Sequence, residues 1–69
     1  MPIHMEGKIV WYYIFSTSTL EEMTMMEKQL KEYDKEGYQK LKDWIITMIN
    51  IGEKNGDPIN SDFKDFFLK

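Results

Sequence analysis

The chain has 69 residues, no cysteine, no arginine, one histidine, a net charge of −3 and a 14% share of aromatic side chains. That length allows one small domain, 1–69, which buries only about 60% of the surface its unfolded chain exposes. The missing cysteines exclude disulfides, zinc–thiolate centres and thiol-redox chemistry, and the acidic balance argues against a phosphate-binding surface.

Residues 1–7 form a short lead-in punctuated by Pro2 and Gly7, expected to be flexible. Lys8 to Ser16 (KIVWYYIFS) is β-branched and aromatic, and reads as a strand. Alternation would set Trp11, Tyr13 and Phe15 on one face with Ile9, and Val10, Tyr12 and Ile14 on the other. Both faces are apolar, so the strand is expected to be covered on both sides.

Thr17-Ser18-Thr19 marks a helix start. Ser18 with Glu21, or Thr19 with Glu22, spells a capping box, and both glutamates suit the positive end of a helix dipole. Leu20, Met23, Met26, Leu30 and Tyr33 then recur at helical spacing, and Glu27 with Lys31 makes an i,i+4 pair. At Asp34-Lys35-Glu36-Gly37 the chain changes direction. Either Gly37 closes the first helix in a left-handed cap, with Tyr38 packing on Tyr33, or Asp34 is the N-cap of a second.

Tyr38 to Ile51 aligns Tyr38, Leu41, Ile45, Met48 and Ile49 on one helical face, with Gly52 as the stop. Leu41 and Trp44 are expected in the core, facing the first helix. Trp44 to Ile51 also has strand propensity. The Lys-, Gln- and Leu-rich first half and the length favour a helix. Glu53 to Pro58 is a turn around Asn55-Gly56. Asn60 or Ser61 caps a terminal helix bearing Phe63, Phe66 and Phe67, with Ile59 just ahead of it. The fold expected is α+β: an N-terminal strand, a two-helix hairpin and a short C-terminal helix. The alternative is strand–helix–strand, with 44–51 as the second strand.

No catalytic constellation emerges. Glu21/Glu22 and Asp62/Asp65 are the closest carboxylate pairs, but both lie in first helical turns, where acids serve capping roles rather than acid–base catalysis. Glu53, Asn55 and Asp57 superficially resemble a calcium loop, yet Pro58 stands where that loop needs glycine. His4 has no nucleophile or ligand set beside it. No enzyme activity, cofactor or metal is expected.

Glu27 to Ile45 (EKQLKEYDKEGYQKLKDWI), placed after a strand, resembles the strand–helix–helix opening of the RelE-like ribosome-dependent ribonuclease toxins. Glu36-Gly37-Tyr38 after a helix resembles the "EGW" of small strand–helix–strand domains of unknown function. In the toxin family the following strands carry basic catalytic residues. With no arginine here, the resemblance implies the hairpin and not the activity.

The function expected is a non-catalytic protein-interaction module, an inhibitor or adaptor docking on a larger protein. Its alternative is a nucleic-acid-binding module stacking bases on Trp11, Tyr13 and Phe15, though nucleic acid is disfavoured because only Lys8 lies nearby. Trp11, Tyr13, Phe15 and Met25 are the expected partner or dimer interface. Met25 lies off the main apolar face of its helix, and flexible methionines suit adaptable grooves. A lone strand with two unpaired edges would drive a homodimer. No apolar run approaches the roughly 18 residues that span a bilayer; the longest, Ile9 to Phe15, has seven. No signal peptide is evident, so no membrane role and a cytoplasmic location are expected.

Overall fold

In a computed structural model, which describes residues 7–69, the chain is all-helical, with no strand among the described residues. The helices are α1 (Lys8–Ser16), α2 (Leu20–Tyr33), α3 (Lys35–Lys54) and α4 (Ser61–Leu68). His4 and most of the expected lead-in lie outside the described residues.

The α+β expectation therefore fails at its first element. Lys8–Ser16 is a helix, and the strand–helix–strand alternative fails with it. The physical reason is that a short run apolar on every side has no period to choose between strand and helix. Tertiary partners then decide, and β propensity is easily overridden. As a helix the segment satisfies its own backbone hydrogen bonds, which a lone strand cannot do. It also brings Trp11 and Phe15 onto one face at i,i+4, with ring centroids 6.2 Å apart.

At the α1–α2 junction the hydroxyls divide their work. Those of Ser16 and Thr17 donate to the Tyr13 carbonyl at 2.8 and 3.1 Å, and Ser18 donates to that of Ile14, so three side chains close α1. Thr19 then opens α2. Its side chain accepts from the Glu22 N–H at 3.1 Å, while the Glu22 carboxylate accepts from the Thr19 N–H at 2.8 Å. Of the two capping boxes in the sequence, this is the one formed.

Asp34 ends α2 and caps α3, its carboxylate accepting from the Gly37 N–H at 3.0 Å. The left-handed cap at Gly37 is not formed: Gly56 alone has positive φ among the described residues, and Tyr33 is exposed. Residues 44–51 belong to α3, as the helical reading expects, but the helix runs through Gly52 to Lys54. It stops two residues later in a Schellman arrangement. The N–H of Asp57 donates to the Gly52 carbonyl at 2.9 Å and that of Gly56 to the Glu53 carbonyl at 3.1 Å, with Gly56 at φ 78°. Gly52 instead serves packing, since a Cβ there would lie 3.0 Å from Ile59 Cδ1.

The core is drawn from all four helices. Phe15, Met23, Leu30, Tyr38, Leu41, Ile45, Ile49, Phe63 and Phe67 are buried. Leu41 is core as expected, whereas Trp44 is half-buried at the core's edge. It packs against α1: Tyr12 meets its ring edge-on at 5.9 Å, and the Lys8 ammonium sits 5.0 Å from its centroid. Edge-to-face contacts continue from Tyr12 to Phe63 at 5.1 Å, Phe63 to Phe67 at 5.3 Å, and Phe67 to Phe15 at 5.2 Å. That aromatic chain fastens α1 to α4. Of the toxin-like strand–helix–helix order, only the helix hairpin is formed.

Candidate protein-docking surface

The four interface residues named from sequence do not share one face. Phe15 is fully buried and Trp11 half-buried against it, so neither offers a free ring. Tyr13 is 68% exposed on the opposite side of α1. A helix turns 100° per residue, so the every-second-residue row that a base-stacking sheet needs does not exist here. Tyr13 instead joins Ile9 and Val10, also exposed, on an outer face of α1 without a charged side chain among them.

Met25 stands elsewhere, 60% exposed as expected of a methionine off the core face. With Leu20 and Met26 it lines an open groove of about 890 Å³ along α2, together with Glu21 and Glu22. Leu20 also lines a second depression of about 360 Å³, where α4 supplies Asp62, Asp65 and Phe66. The two depressions thus meet at Leu20. The amphipathic pattern of α2 explains this surface: Met23 and Leu30 take the buried stripe, and the helix's N-terminal apolar residues overrun it. Sequence periodicity assigned Leu20 to the core face, yet it is 53% exposed. Only the packing of α4 against α2 reveals its position.

The carboxylates have structural employment or line these depressions. Glu22 is fixed in the capping box. Glu27 accepts from the Tyr38 hydroxyl at 2.8 Å and lies 3.9 Å from Lys31 and 4.0 Å from Lys42. Burial, then the Glu27 hydrogen bond and its charge, hold the Tyr38 hydroxyl well above the ordinary tyrosine range. No group of three or more metal-ligating side chains comes together among the described residues, and no described helix is long and apolar enough to cross a membrane.

Comparison with protein-family models, with curated proteins and with solved structures finds no match to this chain.

Proposed function

We propose that the protein is a small non-catalytic interaction module that docks on a larger protein through the α2 groove, as an inhibitor or adaptor. The observation that carries this reading is Met25 standing 60% exposed beside Leu20 at 53%, in a groove that the domain's own core does not fill. Exposed apolar side chains gathered on one surface are costly in water and mark interaction sites. Methionine suits such a site because its thioether adapts to a partner's shape. The carboxylates support the non-catalytic part, since Glu22 and Glu27 are engaged in capping and in binding Tyr38.

The test is affinity capture from native lysate, with and without nuclease, comparing the wild type with Met25→Glu. The expected result is a protein captured regardless of nuclease and lost with the variant. Capture that vanishes on nuclease treatment overturns the reading in favour of nucleic acid. Capture indifferent to Met25 removes the groove from it.

Self-association is a second reading, favoured by an outer face of α1 on which no described residue is charged. Ile9, Val10 and Tyr13 are 68%, 59% and 68% exposed, and a patch without charge can meet its own copy across a two-fold axis free of like-charge repulsion. Light scattering at micromolar concentration checks it: a mass of 8.3 kDa would set the homodimer aside.

A further inference from the structure

We infer that the partner presents a basic amphipathic helix to the α2 groove. This rests on the protein-interaction reading and adds the chemistry of the occupant. Backbone recognition is closed to such a partner, because no strand edge exists among the described residues and helical backbones are already paired. Recognition therefore falls to side chains, as when an amphipathic helix lays its apolar face into a groove. From Leu20 to Gln29 the lining runs along α2 for about 14 Å at 1.5 Å per residue, between two and three turns of a partner helix.

The charge around that apolar floor gives the sign of the occupant. Glu21 and Glu22 flank it on α2, and Asp62 and Asp65 flank the adjoining depression on α4, against one ammonium, Lys69. Among the residues lining the two depressions, carboxylates thus outnumber ammonium groups four to one, with the exposed Lys28 one helical turn beyond Met25 on α2. The ion pairs among the described residues, Glu27 with Lys31 and Lys42 and Glu53 with Lys64, leave all four carboxylates out. Such a field attracts lysines and arginines and repels anionic lipid and nucleic acid. A helix with leucine-like anchors for Met25, Met26 and Leu20, flanked by cations, matches both the floor and the rim.

The experiment uses the full chain with methyl-labelled methionine and a synthetic peptide of about 18 residues carrying leucine and lysine at helical spacing. A leucine–glutamate peptide of the same pattern is the control. The expected result is a saturable shift of the Met25 and Met26 methyl signals with the lysine peptide only. Binding should weaken about fivefold in the Glu21→Gln/Asp65→Asn variant and weaken again as salt rises from about 50 to 500 mM. Glu22 is left intact because it caps α2, and an unchanged melting curve shows that the variant is folded.

Equal response to both peptides, shifts away from Met25, or shifts that follow protein concentration without peptide would overturn the inference. The last outcome would assign the groove to a second copy. If no peptide binds while capture of a protein through Met25 persists, the basic helix is wrong and the interaction reading stands. If that capture also fails, both fall.

Discussion

Tyr38 ties α2 to α3 through one hydroxyl. It is 1% exposed, and it donates to Glu27 at 2.8 Å. Ionising it would put a phenolate in the core beside a carboxylate, so the folded protein holds that proton more tightly than the unfolded chain, where tyrosine titrates near 10. The raised folded value means that this contribution to stability is complete below about pH 10 and is lost as pH climbs beyond it. Melting curves at rising alkaline pH should show that fall. Tyr38→Phe should lower stability at neutral pH by about 1–2 kcal/mol, through loss of a hydrogen bond to a charged group, and should flatten the alkaline decline. A second residue-scale prediction concerns Thr19, whose replacement by alanine should cost about 1 kcal/mol in thermal or denaturant unfolding. The two residues differ in legibility. Thr19 and Glu22 are three apart, so their capping box was readable locally. Tyr38 and Glu27 are eleven apart, and their bond exists only because the hairpin folds back at Asp34.

Among the elements, α3 was the most legible. Tyr38, Leu41, Ile45 and Ile49 are spaced for one helical stripe, and all four are buried. In α4, Phe63 and Phe67 repeat the pattern, and Asn60 provides the cap by accepting from the Asp62 and Phe63 N–H groups. α1 was misread because its Ile, Val, Trp, Tyr and Phe favour strands in isolation and it shows no polar face to set a period. Its buried residues declare themselves only against α3 and α4. A substitution pair discriminates the helix from the strand reading. A charge at Tyr13 would ruin a doubly covered strand, but on the exposed side of helix α1 Tyr13→Lys should change stability by no more than about 0.5 kcal/mol. Phe15→Ala, two positions away and at 0% exposure, should cost about 3–5 kcal/mol. Denaturant melts of the two proteins measure both. Equal damage from each would restore the strand's alternation.

For the molecule as a whole, the acidic rim around Leu20 and the core share one dependence, the docking of α4. The acidic pairs Glu21/Glu22 and Asp62/Asp65 were legible as capping acids, but their meeting around Leu20 was not. They are some forty positions apart in the sequence, and only tertiary packing brings them to one surface. The same packing closes the core. Phe63 and Phe67 are nearly fully buried, and their rings meet Tyr12 and Phe15 of α1. A chain this small has little stability in reserve, because total folding free energies run at about 0.05–0.15 kcal/mol per residue. Removing either phenylalanine side chain costs about 3–5 kcal/mol, a large part of any such total. Deleting residues 61–69 should therefore uncover Tyr12, Phe15 and the inner face of α3 together, abolish the cooperative thermal transition, and yield a species that aggregates. Circular dichroism melts with light scattering on the truncated chain check this. A soluble product with the wild-type melting curve would instead make α4 an appendage, and the acidic rim around Leu20 would lose its structural basis.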